Sequence, residues 1–556
     1  MNNPLPRAHL ALSLLLVAAL GGCSRQPTFN ADRISQTVQT LAADEYEGRP
    51  PASDGEHKTV DLLVGQLQAA GLEPGGDLQR QGGRTWTQDV PLVRSVIDGP
   101  LVFDVRSGKQ VLHWTQGNEV AIRATLAGTD SLQLAAAPVV FAGYGVAAPE
   151  RDWDDFKDLD VRGKVVLVLI NDPDFEGGEG DFGGKAMTYY GRWTYKFEEL
   201  ARRGAAGALV IHETAPASYG WETVKNSNSG PVFDVLRENP LAQHVPLEGW
   251  IQRDAAALLL QRAGLDLDAL KAQARTRAFR AVELKGVTVD ANFAVSREQV
   301  VSKNVLGVLP GTSHGEEWVL YTAHWDHLGV GTPDADGDAI FNGAVDNAAG
   351  VAQLLEVARA FAKASRTQRS IGFLFVAAEE QGLLGSEYYA THPLYPLSTT
   401  VAVLNTDSPR PTAPARDFMT SGDAPVTLQD MLVEVGKGLD RQHSPDSRTE
   451  AGLFFRSDHF SFAKRGVPAI SYKSGNDLRE GGVEAGNAWA VAYDRDRYHQ
   501  PNDEYDPTTW RSDGIAADAA LLYALGRRLA DSREWPEWKE GSEFKAVRDT
   551  SAAERR

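Results

Sequence analysis

Apolar and polar positions alternate along this chain in two textures. Ile34, Val38 and Leu41 recur at i, i+4 and i+7 and predict an amphipathic helix, which Gly48-Arg49-Pro50-Pro51 stops. A second helix is predicted over about 56–70, with Val60, Leu63, Val64 and Leu67 on one face, Gly71 at the C′ position and Pro74 beyond it. From about 84 to 284 the pattern shifts to β-rich runs and glycine turns. Residues 139–146 and 163–170 are its clearest strands, 193–203 reads as a helix, and Gly204-Ala205-Ala206-Gly207 leads into a strand at 208–211. That succession makes a compact unit of its own. Strand texture resumes at 304–308 and then alternates with helices such as 348–361, about 427–439 and 514–529. The alternation predicts an α/β fold, a mostly parallel mixed sheet with helices on both faces. The polar tail after Arg533 lacks apolar periodicity and is expected at the surface or frayed.

The polar residues that end these runs suggest chemistry. The run Trp318-Val319-Leu320-Tyr321-Thr322-Ala323 stops at His324-Trp325-Asp326, as a buried strand would deliver polar side chains to its carboxyl end. Asp346 lies in Gly343-Ala344-Val345-Asp346-Asn347, Glu379 and Glu380 follow the run 371–378, Asp407 follows 401–404, and Tyr498-His499 adds an imidazole. Two first-row metal ions side by side need a bridging carboxylate and terminal N and O ligands, and two histidines with several carboxylates on one sheet edge could supply them. The expectation is a two-metal hydrolase site. No Gly-x-Ser-x-Gly elbow, P-loop or dinucleotide fingerprint competes with it. Asp334, Asp336 and Asp338 around Gly337 lack the EF-hand spacing and read as an Asp/Gly turn. His57 and His212 read as ordinary surface or core residues, and His459 as structural or substrate-side.

Composition narrows the class. The 556 residues are 42% hydrophobic and 24% charged, enough for a large core and several domains. A net charge of −19 with scattered acidic residues would repel a phosphate backbone, so nucleic acid is not an expected partner. Arg7, the apolar stretch 10–20 and Leu20-Gly21-Gly22-Cys23 form a processing signal too short to span a bilayer. Cys23 is the one cysteine, so no disulfide is expected.

Three resemblances sharpen these expectations. Leu20-Gly21-Gly22-Cys23 resembles a bacterial lipobox, which implies export and a lipid on Cys23, with Ser24 favouring the outer membrane, facing the periplasm or cell surface. Phe141-Ala142-Gly143-Tyr144-Gly145, Asp160-Val161-Arg162-Gly163-Lys164 and Arg203-Gly204-Ala205-Ala206-Gly207 resemble a protease-associated (PA) domain, usually an insertion without chemistry of its own. His324-x-Asp326, Asp346-Asn347-x-x-Gly350, Glu379-Glu380, Asp407, Ser457-Asp458-His459 and Tyr498-His499 stand in the order of the M28 zinc peptidases. The chain departs from that pattern in Ala348-Ala349-Gly350, which has Ala where Ser is usual, and in the polar flanks of Asp407.

The M28 resemblance implies a zinc-peptidase/phosphorylase-hydrolase-like fold and two Zn²⁺ per chain. It implies His324 and Glu380 each on one ion, Asp407 and His499 completing the two ligand sets, and Asp346 bridging. Glu379 would be the general base, Asp326 the residue orienting His324, and Tyr498 the oxyanion donor. The implied activity is hydrolysis of peptide bonds in peptide substrates, foremost as an aminopeptidase. A glutamate-carboxypeptidase type, for which Arg192, Arg456, Lys464 and Arg465 are available cations, and a single-zinc glutaminyl-cyclase-like acyltransferase are the alternatives. The expected organisation is a signal peptide at 1–22, N-terminal helices and the start of the peptidase domain at 23–115, the PA insertion at 116–290, the peptidase domain at 291–535 and a tail at 536–556. Oligomeric state is not legible.

Overall fold

The computed structural model describes residues 27–157, 159–422 and 424–555; the signal segment and Cys23 lie outside them. The first helix, Ala31–Leu41, starts from Asn30, whose side chain accepts from the Arg33 amide, and buries Ile34, Val38 and Leu41. The second, Asp54–Ala70, starts from Ser53 and ends at Gly71 in the left-handed region. Both pack against the helix Gly350–Lys363 and so cover one face of the sheet.

Sixteen strands among the described residues join in one sheet. In its C-terminal half, Ala469–Ser474, Thr400–Thr406, His314–His324 and Arg369–Val376 lie side by side and parallel. Helices Gly350–Lys363 and Asp513–Asp531 cover one face, and Leu384–Thr391 with His459–Ala463 the other. Strands buried on both faces need apolar side chains at every position, which is why 369–376 and 400–406 read as continuous runs rather than alternations. Parallel order also brings the carboxyl ends of three strands to one edge.

Two long strands, Thr87–Ser107 and Val282–Leu309, pair antiparallel from Thr87 opposite Val305 to Ser107 opposite Val287. The chain between them forms a second unit, whose parallel strands Ser131–Phe141, Val165–Leu169, Gly207–His212 and Leu247–Gln252 continue the same sheet over cores of their own. Val282–Leu309 also pairs with Arg369–Val376, so one unbroken strand fixes the inserted unit to the main sheet. The unit is less purely β than its texture suggests. Helices Arg253–Arg262 and Leu267–Ala274 bury Leu259, Leu260, Leu267 and Leu270 against it.

Three local expectations need correction. The helix expected from 348 begins at Gly350, because 344–349 is an irregular turn built around Asp346. The helix Gly482–Asp496 was not anticipated, since only Gly486 and Tyr493 of it are buried and no apolar stripe marks it. The segment after Arg533 does not fray: Trp538 and Phe544 are buried beside Phe454, and Arg548 donates to the Leu397 and Thr400 carbonyls at 3.1 and 2.9 Å. Isolated aromatic anchors leave no periodic signal.

Candidate metal centre

His324 is the last residue of its strand; Glu379 and Glu380 follow Arg369–Val376 across Ala378, and Asp407 follows Thr400–Thr406. Asp346 hangs from the turn opened by Gly343, whose φ of 57° and contact with the His327 ring leave no room for a Cβ. Ala378, Ser408 and His499 are non-glycine residues with φ of 54°, 53° and 56°. Such conformations cost about 1 kcal/mol or more each and cluster where surroundings dictate them, and here all three adjoin or belong to the site.

These turns bring the side chains together. His324 Nε2 lies 3.2 Å from Asp346 Oδ1, 3.7 Å from Asp407 Oδ1 and 4.0 Å from Glu379 Oε2. His499 Nε2 lies 3.0 Å from Glu380 Oε2 and 3.5 Å from Asp346 Oδ2. Asp346 therefore turns one oxygen to each of two histidines, and each histidine has a further carboxylate. Glu379, Glu380, Tyr498 and His499 open into a cavity of about 720 Å³ between the inserted unit and the main sheet.

A second layer holds the first. The Asp326 carboxylate accepts from the Glu379 and Glu380 amides at 3.0 and 3.3 Å and stands 3.8 Å from His324 Nδ1. Asp503 accepts from the Val345 and Asp346 amides. Arg49, fully buried, donates to the carbonyls of Leu41, Trp325, Asn342 and Gly343 and so ties the His324 turn to the Asp346 turn. The inserted unit takes part as well: Ser227 Oγ lies 2.8 Å from His499 Nδ1, and Asn226 donates to the His499 carbonyl at 3.1 Å.

Charge and burial set the protonation pattern. Burial pushes the Glu379 carboxyl well above its ordinary range, with the charges of Glu380, Asp458 and Asp407 adding to it. Glu380 moves the other way, to about 2, because His499 and His327 outweigh its burial. Burial lowers the proton affinity of His324 and His499, but the neighbouring carboxylates more than reverse it. Both imidazoles thus hold protons that a cation would displace. His324 with Asp346 and Asp407, and His499, or His327, with Asp346 and Glu380, are each one nitrogen and two carboxylate donors, a set that suits Zn²⁺.

Residues 304–524 match the sequence model described as Peptidase family M28. That segment belongs to peptidase family M28. Among relatives of the chain, the probable lipoprotein aminopeptidase LpqL of Mycobacterium tuberculosis is 28% identical over 256 residues, covering 43% of this chain and 48% of that protein. Aminopeptidase NAALADL1 of Mus musculus is 35% identical over 431 residues, covering 68% of this chain and 53% of that protein. The chain thus spans about half the length of these two relatives. In fold it is similar to the aminopeptidase from Aneurinibacillus sp. strain AM-1, with a TM-score of 0.53 at 18% identity over 90% of this chain and 94% of that one.

Within the M28 segment, His327 went unread in the sequence although it shares a tetrapeptide with His324. Its Nδ1 lies 2.6 Å from Glu380 Oε1, opposite the oxygen that faces His499. Arg49 and Asp503 lie away from the strand ends, where no apolar run marks them. The Tyr498 ring lies against His499, tilted by 31° with centroids 4.0 Å apart, and its hydroxyl accepts from Arg456 Nη2 at 3.0 Å. His459 is buried edge-on to Phe454, outside the cavity lining, and burial drops its proton affinity to about 3. His212 is buried beside Trp221 and Trp250, and Asp334 accepts from the Asp336 and Asp338 amides in a local turn.

Proposed function

We propose that the protein is a co-catalytic di-zinc exopeptidase that releases residues from the amino end of peptides. The observation that carries this reading is the pair of His/carboxylate sets sharing Asp346 beside the cavity. His324, Asp346 and Asp407 would hold one ion, and Asp346, Glu380 and His499 the other. When bound, the two ions would acidify a water and polarise the scissile carbonyl. Glu379, as the ionised carboxylate, takes the proton of the attacking water and returns it to the leaving amine; burial raises its affinity for that proton. The Tyr498 hydroxyl, held by Arg456, still has its own proton to donate to the developing oxyanion, a contribution of about 3 kcal/mol. Asp326 and Asp503 fix the backbone from which these groups project.

Direction of attack follows the relatives that are named aminopeptidases. A panel of free-amine, N-blocked and C-amidated peptides, with and without chelator, tests it: cleavage only of free-amine peptides, abolished by chelator, is expected. Preferential cleavage of N-blocked peptides with a free carboxyl end would make it a carboxypeptidase instead. One zinc per chain would favour the cyclase-like alternative.

The domain boundaries drawn above remain part of this reading. We infer that the inserted unit is a PA domain on its sequence motifs, and that the chain is exported and lipid-anchored at Cys23, which the lipoprotein name of one relative supports. Among the described residues no helix is long and apolar enough to cross a membrane. Cys23→Ser is expected to release the protein from membranes; continued membrane fractionation would contradict the anchor.

A further inference from the structure

One turn at the end of the strand His314–His324 reaches both halves of the metal centre. His324 offers Nε2 to Asp346 and Asp407, and three residues later His327 places Nδ1 2.6 Å from Glu380 Oε1. His327, Asp346 and Glu380 lie close enough together to pass for a ligand set of their own. Spacing separates the two roles an imidazole could have there. Ligands about 2.0–2.1 Å from a tetrahedral ion stand about 3.3 Å from one another. The contacts of His324 with Asp346 and Asp407, and of His499 with Glu380 and Asp346, run from 3.0 to 3.7 Å. At 2.6 Å, His327 and Glu380 are at hydrogen-bond length instead, too close for two ligands of one tetrahedral ion. The fully buried ring is also pinned: a Cβ on Gly343 would fall 2.6 Å from His327 Cγ, and the His327 amide donates to the Arg49 carbonyl at 3.3 Å. Among the described residues its Nε2 has no hydrogen-bond partner, so Nδ1 makes the ring's polar contact.

We propose that His327 is a positioning residue that fixes Glu380 as a one-oxygen ligand, so that the ion assigned to Glu380 and His499 depends on the turn that supplies His324 to the other ion. This rests on the two-metal reading above. A carboxylate that ligates a cation is deprotonated and only accepts, so the proton lies on Nδ1 and His327 donates to Oε1. Oε2 is left to face His499 Nε2 at 3.0 Å. Asp326, in the same turn, accepts from the Glu380 amide at 3.3 Å, so one tetrapeptide holds Glu380 by its backbone and by its side chain. Glu379 shares the backbone hold, at 3.0 Å, but its carboxylate lies 4.0 Å from His324 Nε2, beyond hydrogen-bond reach. The arrangement locks the carboxylate that ligates and does not lock the one that exchanges a proton.

The test is the zinc affinity of the full chain, measured by competition with a chromophoric chelator, for wild type, His327→Leu, His327→Asn and His327→Asp. In His327→Leu one of the two ions should bind about 10- to 100-fold more weakly, the usual effect of losing an outer partner of a ligand, while the other is unchanged. His327→Asn carries an amide N–H near the place of Nδ1 and should keep both ions. His327→Asp can only accept and meets Glu380 with like charge, so it should weaken the same ion as His327→Leu does. The Asn and Asp variants decide the matter even where the leucine variant does not fold: were His327 itself a ligand, His327→Asp would retain the ion and His327→Asn would not. A merely structural role would weaken both ions together and lower the urea midpoint of the metal-free variants. Wild-type affinity in His327→Leu, equal weakening of both ions, or zinc bound no more tightly by His327→Asn than by His327→Asp overturns the proposal and leaves the two-metal reading standing. Fewer than two ions bound by wild type overturns that reading itself.

Discussion

Glu379 and Glu380 are neighbours with the same side chain, and their surroundings separate them. Burial and nearby carboxylates favour a proton on Glu379, whereas His327 and His499 keep Glu380 ionised with one oxygen each. Glu379→Gln is therefore expected to retain zinc while kcat falls roughly 10²- to 10⁴-fold. Glu380→Ala is expected to lose zinc and activity together. Elemental analysis and turnover of an unblocked peptide on each variant check both; metal loss in Glu379→Gln with metal retained in Glu380→Ala would reverse the assignment. At this scale the sequence was informative where polar residues end apolar runs, as at His324 and Asp407. It was silent on Arg49, because one arginine in a turn looks like any other until its four carbonyl partners are known.

Elements explain why residues so dispersed along the chain can meet. Parallel strands place three turns at one edge, and that much follows from runs of apolar residues alternating with helical periods. The His499 turn does not, since the helix before it has no apolar stripe and the turn is held from outside. The helix Trp221–Asn228 of the inserted unit supplies that hold through Ser227 and Asn226. The inserted unit contributes no proposed ligand, yet it contacts one. Ser227→Ala is expected to weaken zinc binding about 10- to 100-fold, the usual effect of losing an outer partner of a ligating histidine. Unfolding free energy of the metal-free protein should shift by less than about 1 kcal/mol. Chelator titration and urea melts measure the two. Unchanged zinc affinity would mean that the Ser227 contact does not orient His499.

Across the whole molecule, the two units are joined by an ionic cluster as well as by the shared strand. His244 lies between Glu248 at 2.9 Å and Asp234 at 3.0 Å; Arg237 bridges Asp234 to Glu387 of the helix Leu384–Thr391, and Arg123 faces Glu248. Burial lowers the His244 pKa, but the charge of Glu248 and the hydrogen bonds to both carboxylates raise it from 6.5 to about 9. A raised folded-state pKa stabilises fully below 6.5, and the benefit is lost as pH rises through 9. The amount is about 3 kcal/mol. Tm should fall between those limits in the wild type, and His244→Gln should lack that part of the fall. Parallel pH profiles for the two proteins would show that the cluster does not stabilise the fold. The hydrophobic pattern shows where each unit lies, while the ion pairs between them depend on side chains distant in sequence.

Asp346 is the residue on which both proposed metal sites depend. Elemental analysis of the purified full chain, dialysed against zinc and then against metal-free buffer, tests it most directly when wild type and Asp346→Ala are compared. About two zinc ions per wild-type chain and loss of both in Asp346→Ala are expected, because each set then retains only one nitrogen and one carboxylate. One ion per wild-type chain, or two retained without Asp346, would contradict it.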